Sequence, residues 1–439
     1  MAHSHQHQLN DSRSGRRLTI ALLIPAIAAT VIGMLALWPS STPDAPAAGQ
    51  PVRVLGEVTA VSVAVCPEGP TPEDPQTPEA GTATTCGTAT VKLTDGPDTG
   101  ATVTADLPFG PGAIDVTVGD EIVLLKLMDD QLATQSYSIM DHQRSTPLWL
   151  LGLAFAVAVI AFGRWRGLTA LAGLGLTFVV LLLFIVPAIL DGQPPLLVAI
   201  VGAAAIMLTV LYLTHGFNLT TTIAVAGTLA AITLTAVLSA VATAVTHLSG
   251  VADETSNYLT ITQGDVDMRG LLLAGIVIGA LGVLDDVTVT QSVTVAELSV
   301  ANPAYGFKAL YRSATRIGRA HIASVINTIV LAYAGASLPM MLLFATGGTP
   351  VGELLTGELI AQEVVRSVVG TIGLICAVPI TTALAAALAS RNRKPAADPS
   401  ATRTAVAAQP VGPSIHPRPA TDPWAAFVEG RGEDDRRHW

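Results

Sequence analysis

Eight stretches of this chain are long and apolar enough to cross a bilayer, whose hydrocarbon core of about 30 Å takes roughly 20 helical residues. They lie at 18–38, 147–163, 168–190, 195–214, 219–246, 270–297, 320–346 and 364–389. Few folds are open to such a sequence. Backbone groups inside lipid must be satisfied by the chain itself, which leaves helices and closed barrels. The expected fold class is an α-helical polytopic membrane protein with about eight transmembrane helices. Composition agrees: half of the 439 residues are hydrophobic and 13% are charged, where a soluble chain carries about 25% charged.

The first stretch follows Arg13, Arg16 and Arg17 and could pass for a signal peptide, with "APAA" at 45–48 as a cleavage site. Its apolar run is longer than the usual h-region of about 7–15 residues, so an uncleaved anchor is expected. Basic residues set the orientation, since cytoplasmic loops collect Lys and Arg. With both termini in the cytoplasm, the cytoplasmic segments hold seventeen of the twenty-three basic residues, among them Arg164, Arg166, Lys308, Arg312, Arg316, Arg319, Arg391, Arg393 and Lys394.

The formal charge of −10 is concentrated in residues 39–146, which carry four basic side chains (Arg53, Lys92, Lys126 and Arg144) against fifteen acidic ones. No basic patch remains for a nucleic-acid partner. This segment reads as β: "RVLGEVTAVSV", "TATVKLT", "GATVTADL", "GDEIVLLKL" and "ATQSYSIMD" are short Val- and Thr-rich runs separated by turn residues. Five such strands suggest a small extracytoplasmic barrel of the OB type between the first and second spans. Cys66 and Cys86 flank a Pro-rich acidic loop between the first two strands. Outside the cell they can form a disulfide, or stand as two free thiols. The third cysteine, Cys376, lies in an apolar run, and no His/Cys spacing supports a metal site. His3, His5 and His7 read as part of a cytoplasmic tail, 1–17. Residues 147–390 form a seven-helix region, and 391–439, rich in Ala, Pro and Arg, read as a disordered cytoplasmic tail.

The sixth stretch poses the sharpest question. Its apolar run, Leu271 to Leu284, covers only about 21 Å of helix before Asp285 and Asp286. Nothing after the pair breaks a helix until Pro303, so the helix should continue to about Glu297. Asp286, Thr290, Thr294 and Glu297 then share one face, with Gln291 beside them, and Asp286 falls near the middle of the bilayer. The seventh stretch offers His321, Ser324 and Thr328 on one side, with Asn327 adjacent. The fifth offers Thr235, Ser239, Thr243 and Thr246, with Thr228 at a comparable depth. Three spans thus carry polar side chains at similar depth, as a hydrated cavity or polar cluster would require. Ser, Thr and Asn often serve only as hydrogen-bonding glue between membrane helices, whereas a charge at a helix centre costs roughly 2.5–3.5 kcal/mol and usually has a function. Asp286 is therefore the leading candidate. Asp285 points about 100° away, toward a neighbouring helix. Arg366 and Glu363 form an i, i+3 pair that explains both without function.

"GALGVLDDV", followed by "NP", "RIGR", "NTIVLAYAGASLP" and "VVRSVVGTIGLICAVPITT", resembles the YibE/F-like family of bacterial membrane proteins, from the β segment through the eighth span. Asp286 matches the family aspartate, and Glu297, Asn302, Arg319, Asn327, Tyr333, Gly335 and Pro339 match further positions. The pattern departs at Ala320, where an acidic residue often follows the arginine. The resemblance implies a multispanning protein of the bacterial cytoplasmic membrane. It brings no established activity with it, and transport is the activity commonly suggested.

The reading that follows is a transporter or permease for a small molecule or ion, without cofactor or bound metal and not an enzyme. Its candidate coupling or substrate site comprises Asp286, Asp285, Thr290, Gln291, Glu297, Asn327 and Thr228. The alternative is a non-catalytic scaffold or accessory protein whose external β domain binds a partner. Beyond the lipid bilayer, a homo-oligomer or an extracytoplasmic partner stays open.

Overall fold

The computed structural model describes residues 13–40, 52–65, 85–108, 112–129, 134–346 and 350–391. The amino-terminal histidines, the Pro-rich loop with Cys66, and the tail beyond residue 391 lie outside these residues.

One helix, α1 (Arg13–Ala36), precedes five strands, β1 (Val52–Val65), β2 (Thr85–Leu93), β3 (Thr102–Asp106), β4 (Glu121–Asp129) and β5 (Thr134–His142). They close into a barrel in the order β1-β2-β3-β5-β4, with β1 pairing back onto β4. The β3–β5 contact is parallel and the other pairs are antiparallel. This is the arrangement of an OB barrel, as the Val- and Thr-rich runs predict. Strand alternation fills the interior: Ala89, Val91 and Leu93 point inward from β2, and Ile122 and Leu124 from β4. The next inward position on β4 is Lys126. Its ammonium is buried and meets Asp98 at 2.5 Å, and Tyr137 donates to the same carboxylate at 3.2 Å. Cys86 on β2 is disulfide-bonded.

Helices make up the rest: α2 (Ser145–Gly163), α3 (Trp165–Val180), a π turn (Leu181–Ile185), α4 (Val186–Leu190), α5 (Pro195–His215), α6 (Leu219–Val245), α7 (Glu254–Thr262), α8 (Met268–Ala301), α9 (Phe307–Ala336), α10 (Leu338–Thr346), α11 (Val351–Thr356) and α12 (Glu358–Arg391). Among the described residues, eight helices are long and apolar enough to span a membrane: α1, α2, α3 through α4, α5, α6, α8, α9 and α12. The chain is an α-helical polytopic membrane protein with a small β barrel before its second span.

Local sequence fixes the ends. Asn218 caps α6 by accepting from the Thr221 amide at 2.7 Å, and Asp253 and Ser256 form a capping box on α7. Pro187 has no amide hydrogen to offer the carbonyl one turn earlier, and the chain takes its π turn just there. Several helices start earlier than their apolar stretches, α9 and α12 by the most. The basic residues that open α9 are good helix formers, and they extend it back to Phe307. The apolar stretch 320–346 is divided at Ser337, where α9 ends and α10 begins with Pro339 in its first turn.

α8 and α12 form the centre. α8 packs on α5, α6, α9 and α12, and α12 packs on α6, α8 and α9, while α2 touches α3 at the periphery. Lipid tails are as apolar as leucine, so apolar burial gains little here and close backbone approach matters more. α6 and α12 approach through reciprocal seats. Thr381 of α12 sits against Gly227, and Thr235 of α6 sits against Gly373, each where a Cβ would stand.

Candidate functional site

α8 does not stop at the acidic pair. It runs 34 residues, about 51 Å at 1.5 Å per residue, with Asp285 and Asp286 near its midpoint. The two aspartates face different surroundings.

Asp285 begins the inward seam. It is half-buried, and its Oδ1 is sealed from solvent without a hydrogen-bond partner. One turn on, the Thr288 hydroxyl lies 2.6 Å from that of Thr228 on α6. Gln291 is fully buried; its Oε1 accepts from Thr382 of α12 at 2.9 Å, while its Nε2 has no partner. Gly318 of α9 leaves room for that amide, since a Cβ there would meet Nε2 and Val378. The seam thus joins α6, α8, α9 and α12 through side chains of one polar stripe.

Asp286 turns outward, with its side chain 69% exposed, and its Oδ2 lies 3.6 Å from His321 Nε2 on α9. That separation exceeds a hydrogen bond and suits an ion pair when the imidazole carries a proton. His321 Nε2 is itself sealed from solvent and makes no hydrogen bond. The acid–imidazole pair is therefore set by helix packing alone, with no hydrogen bond fixing either partner.

The remaining candidates are scattered. Thr290 is half-buried, and its carbonyl accepts the Thr294 hydroxyl at 2.7 Å. Glu297 and Asn327 are exposed, as are Ser324 and Thr328. Thr235, Ser239 and Thr243 are buried in α6, and Thr235 seats against α12. Of the polar faces predicted from helical spacing, that of α9 reaches Asp286 through His321, while Thr228 of α6 meets Thr288 instead. Periodicity assigns residues to a face but not to a neighbour, and α12 packs on α6, α8 and α9 alike. Of the predicted set, the structure joins Gln291 and Thr228 to the same seam as Asp285, and leaves Asp286 with a partner from α9. Spacing alone passes over Thr288 and Thr382, although both are hydroxyls in apolar helices and fit the pattern of interhelical glue.

A cleft of about 190 Å³ opens where α8, α9 and α12 meet, toward the Met268 end of α8 from Asp286. Its walls include Ile276, Gly279 and Val283 of α8, Tyr333 of α9, and Arg366 and Gly370 of α12. The Glu363–Arg366 pair is present, with Nη1 at 3.3 Å from the carboxylate, yet Arg366 Nε is buried without a partner. Among the described residues, no three His, Cys, Asp or Glu side chains gather as a metal site.

The family model of YibE/F-like proteins matches residues 151–391. The chain belongs to the YibE/F-like family. No curated protein and no solved structure matches it. The family match covers all seven helical spans after the barrel and both aspartates. It begins after β5.

Within this YibE/F-like protein the chemistry divides by location. The seam of Thr228, Thr288, Gln291 and Thr382 is closed and nearly satisfied, which suits a structural joint. Asp286 and His321 can hold or pass a proton between a carboxylate and an imidazole. The cleft presents one guanidinium and the Tyr333 hydroxyl among apolar walls.

Proposed function

We propose that this YibE/F-like protein is a transporter of the bacterial cytoplasmic membrane in which Asp286 is the proton- or cation-coupling carboxylate. The observation that carries the proposal is the Asp286–His321 pair. A carboxylate within a membrane span is expensive unless paired or used, and among the described residues its ion-pair partner is a group whose charge can change. α9, which supplies the imidazole, is buried at four positions only, Leu310, Ala314, Gly318 and Ile322. A helix held so lightly can shift against α8, and making and breaking the pair would tie that shift to proton movement.

The proposed orientation keeps both termini in the cytoplasm and the β barrel outside. The placement of basic residues supports it. Two hydrogen-bonded contacts support the eight-span topology in either orientation, since they link segments that eight spans leave on one side: Ser40 donates to Asp191 at 2.9 Å, and the Ser249 amide donates to Glu358 at 2.7 Å.

The test is flux in proteoliposomes under an imposed proton gradient, with the full chain and with Asp286→Asn. The expected outcome is loss of gradient-driven flux in the variant while its thermal unfolding stays within about 0.5 kcal/mol of the parent, as for an exposed side chain. Undiminished flux from a folded Asp286→Asn protein would sink the coupling role.

A second reading has the barrel as a docking module and the helices as its anchor. It draws on Val63, Val118, Leu127 and Met140, which stand exposed on the barrel. Deleting residues 67–85 and measuring recovery of an extracytoplasmic partner separates the two. Partner loss with flux intact favours the docking role for the barrel.

A further inference from the structure

We infer that the cleft between α8, α9 and α12 is a binding site for a small organic carboxylate, with Arg366 as the residue that holds the acid group. A carboxylate would be the substrate class of the proposed transporter; that purpose rests on the transport proposal, but binding itself does not depend on it.

Arg366 carries an unanswered donor. Glu363 engages only Nη1, at 3.3 Å, and this leaves Nε buried with no acceptor. Nε belongs to the side edge of the guanidinium, on which a carboxylate docks through two parallel N–H···O bonds. A buried donor left unpaired costs free energy, and an incoming acid would satisfy it by turning the guanidinium from its sealed position toward the cleft. Arg366 lies two residues past the start of the apolar stretch 364–389, and its side chain is 30% exposed, so an anion can reach it from the water outside.

The rest of the cleft fixes the ligand's shape. Gly279 and Gly370 supply no side chains to fill it, and the Tyr333 hydroxyl overhangs Gly279 at 3.3 Å from where a Cβ would stand. Tyr333 and Ser367 add hydroxyls, while Ile276, Val283 and Ile329 make the walls apolar. Pockets for drug-sized ligands run to about 300–1,000 Å³, so 190 Å³ suits an acid with a body of a few carbons. A fully hydrated inorganic anion would leave those apolar walls unmatched. The cleft also lies on the same α8–α9 junction as Asp286 and His321, which occur further along both helices. A shift of α9 would alter both at once.

The test uses the full chain in phosphatidylcholine nanodiscs with radiolabelled butyrate as probe. Saturable butyrate binding is expected, with inorganic phosphate a poor competitor. Arg366→Gln should weaken it by about 10- to 100-fold, the loss of hydrogen bonds to a charged group. Arg366→Lys, which keeps the charge without the fork, should fall between. Gly279→Leu fills the cleft and should abolish binding, and Gly279→Ala should weaken it less. Absence of saturable binding would overturn the site, as would Arg366→Gln binding like the parent. Phosphate competing as well as butyrate would overturn the organic-acid assignment in favour of a phosphate or lipid headgroup. If Asp286→Asn binds butyrate and still carries coupled flux, the coupling role fails and the site stands. If the parent shows coupled flux but no carboxylate binding, the site fails and transport stands.

Discussion

The two faces of α8 differ in how their polar groups are answered. On the inward face, Thr288 meets Thr228, and Gln291 meets Thr382 beneath Gly318. On the outward face, Asp286 stands 69% exposed with an imidazole at 3.6 Å, and Glu297 is exposed as well. Apart from Asp285, whose Oδ1 is buried without a partner, the inward groups are neutral and tie α8 to α6 and α12 by hydrogen bonds. The outward group is ionisable and lacks hydrogen bonds. Answered and unanswered polar groups are thereby separated by a rotation of about 100° around one helix, and the acidic pair straddles the boundary.

If this division is right, the inward face should be intolerant of added volume and the outward face tolerant. The largest effect is expected at Gly318→Leu. Its side chain must displace the Gln291 amide and Val378, and overpacking of this kind costs about 1–3 kcal/mol or more. The matched change on the outward side is Gly282→Leu on α8, where a Cβ meets nothing within 4 Å. That variant should stay within about 0.5 kcal/mol of the parent. Thermal unfolding of both in the same detergent checks the contrast, and equal destabilisation would erase it.

A smaller effect tests the hydrogen bonds rather than the space. Gln291→Leu removes the acceptor of Thr382 and also removes an unpartnered Nε2. Interhelical hydrogen bonds in membranes average about 0.6 kcal/mol, so the expected loss is about 0.5–1 kcal/mol. Thr290→Val, whose hydroxyl makes no interhelical hydrogen bond among the described residues, should cost less. A double-mutant cycle between Gln291→Leu and Thr382→Val gives the coupling directly. Zero coupling would mean that the seam is held by shape alone.

Much of the fold is legible in the residues themselves. The eight spans follow from runs of apolar residues, and the β strands from Val and Thr between turns. The continuation of α8 follows from the absence of Gly and Pro after Asp286. What the residues do not disclose is pairing across helices. Helical spacing puts Thr235, Ser239 and Thr243 on one face, but only the seat of Thr235 on Gly373 shows that this face meets α12. Gly318 reads as one small residue among many until Gln291 is found beneath it. Arg366 and Glu363 pair as their spacing predicts, yet the buried Nε appears only when α8 and α9 are set against α12. Local rules constrain one helix at a time, and a polar site in a bundle is a property of several.

The barrel offers the same comparison in water, with the smallest expected effect. Lys126 occupies an inward position of β4, as Gln291 does on α8, and it too has a partner. The hydrogen bond to Asp98 raises the Lys126 ammonium above its ordinary range, and the same bond lowers the Asp98 carboxyl. The signs follow. A depressed carboxyl stabilises the fold above its unfolded value, about 3.9, and that contribution is lost as pH falls through the depressed folded value. A raised ammonium stabilises the fold below its unfolded value, about 10.4, and that contribution is lost as pH climbs through the raised folded value. Amide protection factors of β4 and β5 in the full chain, which divide out the base-catalysed intrinsic rate, should therefore be highest on a plateau between those limits and fall on both sides. Asp98 is 39% exposed, so water and salt damp the effect and the flanks should be shallow. Asp98→Asn should remove the acid flank and speed exchange on the plateau, because it leaves the buried ammonium without its counter-charge. An acid flank that survives Asp98→Asn would assign it to another carboxylate, such as Asp120, which the Thr117 amide holds below its ordinary range.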